Sequence, residues 1–164
     1  MNRKYTREQY LALVDYARSV IPEISFTSDV IVGFPGETRE EFEDTLSLVK
    51  YVGFTSLFTF IYSPREGTPA AVMEDPIPQE TKVAWLKELT ALQETISGER
   101  LAKLVGTQQR ALLEGEGPGY LEARLPENSV VRVKGEPSLI GRYAIVQIND
   151  ARSWIMNGEI ISVE

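Results

Sequence analysis

The segment from Ser28 to Thr38, read S-D-V-I-V-G-F-P-G-E-T, has the composition of a ligand-binding turn. Its apolar run ends in a glycine-rich turn that leads directly into the start of a helix. In α/β folds, ligands bind where the carboxyl ends of strands lie beside helix N-termini. Gly33 and Gly36 allow the backbone to approach a ligand closely, and the helix terminus offers N–H groups to a carboxylate or phosphate. The segment is a candidate binding site, although a tight strand–helix turn with one satisfied carboxylate would have the same spacing.

Two acidic residues of this segment have different expected roles. Asp29 interrupts an apolar strand, so we expect its carboxylate to face a polar cavity or to be paired. Glu37 stands where the helix begins, and we interpret it as a first-turn partner of the helix dipole rather than as a catalytic acid.

A second polar segment, Tyr62–Ala70, read Y-S-P-R-E-G-T-P-A, also follows a predicted strand. We expect its polar groups to face the same rim as the first segment. Arg65 suits a two-pronged contact with a carboxylate or phosphate, because its guanidinium is planar. The alternative is an exposed turn in which Arg65 pairs with Glu66 or Glu37. Asp75 has no distinguishing context and is expected to be solvated.

The periodicity of the sequence predicts the elements that position these segments. Up to residue 104, amphipathic helical patterns alternate with short apolar strands, which indicates an α/β domain. After Gly106, five short β patterns punctuated by glycine and proline favour a small all-β, OB-like barrel. We predict an α/β domain over residues 1–104 and a barrel over 105–164. The predicted helices are 6–21, 38–52 and 79–104, and the predicted strands are 24–34, 54–62, 108–114, 120–124, 129–134, 143–149 and 154–163.

The composition excludes several kinds of chemistry. The 164 residues, 43% hydrophobic and 25% charged, are typical of a globular protein. Since the chain has no cysteine and no histidine, thiolate metal sites, cysteine nucleophiles and histidine bases are excluded, and we predict neither a metal ligand nor a catalytic residue. No apolar run approaches the roughly 20 residues of a membrane span. We therefore expect a cytoplasmic protein without a membrane partner.

RNA is a partner that the predicted barrel can hold through a local patch. A net charge of −7 argues against bulk coating of nucleic acid, which needs clustered Lys and Arg. Tyr120 follows a glycine-rich loop and is the leading candidate for stacking on a base, although aromatic residues of small barrels are more often core. The candidate RNA contacts are Arg110, Tyr120, Arg124, Arg132, Lys134 and Arg142.

Three motifs together resemble one known family. They are D-x-I-V-G-F-P-G-E-T at Asp29–Thr38, F-x-Y-S-P-R-E-G-T-P-A-A at Phe60–Ala71 and L-I-G-R-Y at Leu139–Tyr143. The sequence is similar to the radical-SAM methylthiotransferases and, among them, to the MiaB-type tRNA enzymes that add a methylthio group to isopentenyl-adenosine beside the anticodon. The resemblance covers almost the whole chain. It implies the C-terminal part of the TIM-like radical-SAM barrel, followed by a TRAM domain that holds RNA.

The resemblance also implies cofactors, partners and site residues. The partners would be a tRNA anticodon stem-loop, the remainder of the radical-SAM barrel and an N-terminal cluster domain. Ser63, Arg65 and Thr68, the candidate substrate-binding residues, would edge the same cavity or the substrate entrance. The residues that would line the S-adenosylmethionine cavity are Asp29, Gly33, Phe34, Gly36, Glu37 and Arg3.

The chain departs from the family pattern in its lack of cysteine. Family members hold an auxiliary 4Fe-4S cluster with three cysteines and a second cluster in a C-x-x-x-C-x-x-C loop. Because this chain contains no thiolate, we expect it to correspond to the C-terminal portion of such an enzyme and to be inactive alone. The alternatives are a fragment of the related enzyme that modifies a ribosomal-protein aspartate, a standalone RNA-binding protein without clusters, and an unrelated binding module.

Overall fold

The computed structural model describes residues 3–152 and 154–164. Backbone contacts divide the chain into two compact units, residues 1–96 and 97–164. The first unit contains α1 (Arg7–Val20), β1 (Thr27–Val32), α2 (Arg39–Val52), β2 (Ser56–Ile61) and a 3-10 turn (Pro69–Val72). The division falls within the last helix, α3 (Gln79–Ala102). The second unit contains β3 (Gln108–Gly117), β4 (Tyr120–Arg124), β5 (Val130–Val133), a 3-10 turn (Pro137–Leu139), β6 (Tyr143–Arg152) and β7 (Ile155–Val163).

Capping boxes set the beginnings of α1 and α2. The side chain of Thr6 accepts from the backbone of Gln9, and the Gln9 side chain accepts from the backbone of Thr6. Thr38 and Glu41 form the same reciprocal pair at α2. These pairs satisfy N–H groups that have no partner within the helix, so both predicted helix starts are confirmed.

The first unit is built on two parallel strands. β1 pairs with β2 in a register that sets Val32 opposite Ile61. One face of this sheet packs on a core contributed by the helices, including the fully buried side chains of Phe42, Val49 and Leu89. The other face leaves Phe58 61% and Phe60 52% exposed. The continuous apolar run Val30–Val32 is typical of a strand covered on both faces, but among the described residues only one face of the sheet is covered.

The second unit is a closed five-stranded barrel. The strands pair in the order β3-β4-β5-β7-β6, and β6 returns to pair with β3. All pairs are antiparallel except β5 with β7. The small OB-like barrel predicted from the sequence is therefore confirmed. Its core is formed by the inward-facing side chains, among them Leu113, Leu121, Val131, Val146 and Ile148.

Several observed element boundaries differ from the predicted ones by a few residues. The predicted strand 24–34 is observed as Thr27–Val32, and the predicted strand 108–114 extends to Gly117 through a register shift between Leu113 and Gly115. The last turns of α3 belong to the barrel unit, because Leu101 is part of its core.

Two glycines of the second unit allow a test of its packing. A Cβ at Gly158 would lie 2.2 Å from the carbonyl oxygen of Gln147, whereas a Cβ at Gly98 in α3 would have no neighbour within 4 Å. We expect Gly158→Ala to destabilise the protein by roughly 1–3 kcal/mol through overpacking. Gly98→Ala, the matched control, should stabilise it by about 0.5–1 kcal/mol because a helix favours alanine. Urea denaturation followed by circular dichroism measures both changes, and an equal effect of the two substitutions would contradict the packing at Gly158.

Candidate functional site

A turn between β1 and α2 forms the centre of the candidate site. Gly33 and Gly36 adopt φ angles of 71° and 82°, in the left-handed region that favours glycine. The N–H of Glu37 donates to the carbonyl of Phe34 at 2.8 Å, which closes the turn. The sequence therefore needs glycine at these two positions to bring the chain from the strand into the helix.

The side chain of Glu37 stabilises this turn through hydrogen bonds to its backbone. Its carboxylate accepts from the N–H of Gly33 at 2.5 Å and from the N–H of Phe34 at 3.2 Å. Partial burial raises the pKa of Glu37, while the two backbone donors act in the opposite direction. Glu37 was interpreted as a first-turn partner of the helix dipole; in the structure it precedes the N-cap residue Thr38, and its carboxylate accepts from two amides of the turn instead.

Asp29 lies on the exposed face of the two-stranded sheet. It is opposite Phe58 in the strand register, and its side chain is exposed to solvent. In the part of the chain that the structure describes, its carboxylate has neither an ion pair nor a hydrogen bond. The expectation that Asp29 faces a cavity or is paired is not met within this chain. Arg3 is also exposed.

The second polar segment meets the glycine turn at the same rim. The N–H of Tyr62 donates to the carbonyl of Val32 at 2.8 Å, which continues the strand pairing beyond β2. The rings of Phe34 and Tyr62 pack edge to face, with centroids 5.1 Å apart and an interplanar angle of 68°. The structure therefore brings the two motifs together, as parallel strand ends require.

The candidate substrate residues lie in an exposed turn that follows Tyr62. Ser63, Arg65 and Thr68 are all exposed. The hydroxyl of Thr68 donates to the carbonyl of Arg65 at 2.7 Å, which stabilises the turn. Among the described residues, the Arg65 guanidinium pairs with neither Glu66 nor Glu37. Its five donors therefore remain available to an anionic group.

Sequence reasoning missed a buried lysine next to the glycine turn. Lys82, in the first turn of α3, is only 4% exposed, and its ammonium forms an ion pair with Asp75. This ion pair lowers the pKa of Asp75. The expectation that Asp75 is merely solvated is wrong. The signal was weak, because Lys82 and Asp75 have the appearance of surface residues in a polar segment.

The candidate RNA residues form two groups on the barrel. Tyr120, Arg124, Arg132 and Lys134 lie on β4 and at β5, where Leu121 and Ala123 alternate with them and face the core. The Arg132 guanidinium lies 4.5 Å from the centre of the Tyr120 ring. Tyr120 and Lys134 also line a groove, together with Leu139, Ile160 and the acidic residues Glu116 and Glu136.

Three of the predicted basic contacts are already engaged within the barrel. Arg110 pairs with Glu164 at 2.7 Å and lies over the Tyr143 ring at 3.7 Å, and Arg142 donates to the backbone carbonyl of Glu164. Arg124 pairs with Glu114 and donates to Asn128. Arg132 and Lys134 have no ion pair among the described residues.

The ring of Tyr120 is less open than a free stacking platform. A Cβ at Gly117 would lie 2.2 Å from its Cζ atom, so the ring occupies the space beside this glycine. The Arg132 guanidinium also lies over the ring, so Tyr120 and Arg132 form a cation–π pair in this structure. A base can stack on the guanidinium plane of Arg132 or replace it.

Comparisons with known proteins agree with this architecture. Residues 1–49 match the Radical SAM superfamily, and residues 102–161 match the TRAM domain. The chain is thus a radical-SAM segment followed by a TRAM domain, as the resemblance of its motifs implied.

The relatives define the family further. The chain is 47% identical over 166 residues to the tRNA-2-methylthio-N(6)-dimethylallyladenosine synthase of Halalkalibacterium halodurans, covering 99% of this chain and 31% of that protein. It is 48% identical to the enzyme of the same name from Anoxybacillus flavithermus, covering 98% and 31%. The one from Thermoanaerobacter pseudethanolicus is 46% identical, covering 99% and 35%. The chain is similar to these enzymes along nearly all of its own length and spans about a third of theirs.

The residues present fit one cofactor of the family and not the other. Because the sequence lacks cysteine, it supplies no thiolate for an iron–sulfur cluster, and residues 3–152 and 154–164 contain no cluster of acidic metal ligands. S-adenosylmethionine fits better, since Gly36 has open space within 4 Å of its Cβ position. The buried hydroxyl of Tyr62 also has no hydrogen-bond partner in the described part of the chain. No helix among these residues is long and apolar enough to cross a bilayer.

The two turn glycines make a matched pair for testing the site. A Cβ at Gly33 would lie 2.6 Å from Cγ of Lys82, but a Cβ at Gly36 has no neighbour within 4 Å. Both alanine variants carry a left-handed penalty of about 1–2 kcal/mol. Gly33→Ala should cost roughly 1–3 kcal/mol more than Gly36→Ala because of the overpacking against Lys82.

Urea unfolding followed by Trp85 fluorescence, in a Trp154→Phe background, measures this difference in the first unit. Equal free energies of unfolding for the two variants would show that Lys82 does not pack on Gly33 as described.

Proposed function

We propose that this chain is the cofactor-pocket rim and RNA-holding portion of a tRNA methylthiotransferase. The enzyme adds a methylthio group to isopentenyl-adenosine beside the anticodon, using S-adenosylmethionine and 4Fe-4S clusters. The observation that carries the proposal is the meeting of the two motifs at one rim, where Phe34 and Tyr62 are in contact. Similarity over nearly the whole chain to enzymes of this name supports it.

The clusters must be held by residues outside this sequence, because it contains no thiolate. When bound beside a reduced cluster, S-adenosylmethionine supplies the radical and the methyl group of the reaction. The 164 residues alone are therefore inactive in this proposal. Its tRNA substrate places the enzyme in the cytoplasm.

The residues of the glycine turn would bind and orient the cofactor. Gly36 leaves room for a close backbone contact, and the exposed carboxylate of Asp29 is free to accept hydrogen bonds from the cofactor's amine or hydroxyl groups. Glu37 acts indirectly, because it holds Gly33 and Phe34 in place. Arg3 is assigned to the same cavity by its motif alone.

The exposed segment after Tyr62 would receive the RNA substrate. Arg65 offers an unpaired guanidinium to a phosphate, and its turn is held by Thr68. Ser63 stands between this turn and the contact of Phe34 with Tyr62. We assign Ser63, Arg65 and Thr68 to the substrate entrance for this reason.

Two exposed apolar surfaces of the first unit would be covered by the rest of the enzyme. Phe58 and Phe60 are exposed on the sheet face that carries Asp29. Leu13, Tyr16 and Val20 form an exposed stripe at helical spacing on α1. In the proposed enzyme, the remainder of the radical-SAM barrel and the cluster domain supply the strands and helices that bury them.

The barrel would hold the anticodon stem-loop through its β4–β5 face. OB-type barrels bind oligonucleotides on the corresponding strands. Arg132 and Lys134 are the basic side chains of this face without an ion pair in the described residues, so they are the main phosphate contacts of the proposal. Arg110, Arg124 and Arg142 contribute less, since each would first have to leave its partner.

The activity is tested with the complete polypeptide that carries this sequence. With clusters reconstituted and S-adenosylmethionine added, it should convert isopentenyl-adenosine in tRNA to its methylthio form, as measured by mass spectrometry of the digested tRNA. Asp29→Asn should reduce S-adenosylmethionine affinity by about tenfold, the loss of roughly one charge-assisted hydrogen bond. Its tRNA dissociation constant should remain unchanged. A modified ribosomal protein in place of tRNA would overturn the assignment of substrate.

The β4–β5 face as the RNA-binding surface is tested by alanine variants of its basic residues, with a matched control. Arg132→Ala and Lys134→Ala should each weaken binding to an anticodon stem-loop and reduce the slope of log K against log salt concentration by about one. Arg110→Ala is the control, because its guanidinium is engaged by Glu164 and Tyr143. Fluorescence anisotropy at several salt concentrations measures these effects. A larger loss for Arg110→Ala than for Arg132→Ala would place the RNA on a different face.

A further inference from the structure

A single lysine connects the glycine turn to two other parts of the first unit. Lys82 is 4% exposed, although lysine is almost never buried unless its charge is paired. Its partner is Asp75, in the segment between the 3-10 turn and α3. Asp75 also accepts from the N–H of Ile77 at 3.3 Å, which orients its carboxylate.

The stem of Lys82 packs against the backbone of the turn. A Cβ at Gly33 would lie 2.6 Å from Cγ and 2.7 Å from Cδ of Lys82, so these methylenes occupy the space that a side chain at Gly33 would need. On its N–H side, Gly33 is held by the carboxylate of Glu37. Two side chains from different parts of the chain thus restrain one residue of the turn.

The contact depends on the stem of Lys82, and a charged stem can stay there only while its ammonium is paired. The methylene stem supplies the packing surface, as long cationic side chains commonly do. The ion pair with Asp75 lets the ammonium stay beside the turn, because an unpaired ammonium is strongly unfavourable when buried and would move to solvent together with its stem. Movement of the segment that carries Asp75 would therefore change the packing of Lys82 on Gly33.

We propose that Lys82 is a positioning residue that sets the Gly33–Phe34 turn for S-adenosylmethionine, with Asp75 as its anchor. Lys82 acts through its stem on the turn, and its ammonium is committed to Asp75. The inference rests on the proposed function, in which this turn lines the cofactor cavity.

The first test measures the turn itself without any cofactor. Amide hydrogen exchange at Gly33 and Phe34, followed by NMR on this chain, should be at least tenfold faster in Lys82→Ala and in Asp75→Asn. Lys82→Met keeps an apolar stem and should remain within about threefold of the unmodified protein. Lys87→Ala, an exposed lysine of the same helix, is the control and should change nothing.

The second test measures the cofactor in the complete polypeptide. Equilibrium dialysis should show an S-adenosylmethionine dissociation constant about tenfold higher for Lys82→Ala, near the unmodified value for Lys82→Met, and a tRNA affinity that both variants leave unchanged. A purely structural role would not separate these two ligands.

The outcomes distinguish this inference from the proposed function. Unchanged exchange at Gly33 in Lys82→Ala would overturn the positioning role, and so would an equal acceleration at Val49 in the core of α2. If Lys82→Ala does not fold, Asp75→Asn decides: acceleration confined to the turn supports the role, and unchanged exchange overturns it. An unmodified protein that fails to bind S-adenosylmethionine would overturn the proposed function, while the exchange result would still decide the role of Lys82.

Discussion

The hydrogen bonds from Gly33 and Phe34 to the carboxylate of Glu37 are the constraint on which the candidate cofactor site depends. They close a turn whose glycines adopt left-handed angles that other residues adopt only at a cost. Once the turn is closed, α2 begins with its own capping box and Phe34 is placed against Tyr62. The second motif is thereby held beside the first. Partial burial raises the pKa of Glu37, and the two backbone donors oppose that rise.

The basic residues of the barrel fall into two groups, those paired with a carboxylate and those without one. Guanidinium groups that find a carboxylate nearby are engaged, as Arg110 is by Glu164 and Arg124 by Glu114. Exposed ion pairs of this kind are worth only about 0–1 kcal/mol, so they serve to orient the side chains more than to stabilise the fold. Arg132 is oriented instead by the ring of Tyr120, which leaves its hydrogen-bond donors available. A face for an anionic polymer can thus exist on a chain whose net charge is −7.

Among the described residues, the first unit leaves two apolar surfaces exposed to solvent. This agrees with its similarity to one part of the longer tRNA methylthiotransferases. The two-stranded parallel sheet exposes Phe58 and Phe60 on the face that bears Asp29, and α1 exposes an apolar stripe. Contiguous exposed apolar surface is typical of interaction sites. The chain spans about a third of the length of its relatives, and in the proposed enzyme these surfaces would be covered by parts of the protein that it does not match.

Local sequence patterns were sufficient for the elements and their order. The signals that define the elements act over a few residues and can be recognised without knowing the fold. They are the capping boxes at Thr6 and Thr38, the left-handed glycine that ends α2 at Gly53 and the change from helical to alternating periodicity near Gly106. The meeting of the two motifs at one rim was also predictable, because parallel strand ends share an edge. Only the tertiary structure decided which polar groups remain free. The burial of Lys82 against Gly33 and the pairing of Arg110 with Glu164 depend on contacts between residues distant in sequence, which composition and spacing do not encode. The contact of Glu37 with the turn amides is local, but it needs the left-handed angles that the folded turn gives to its glycines.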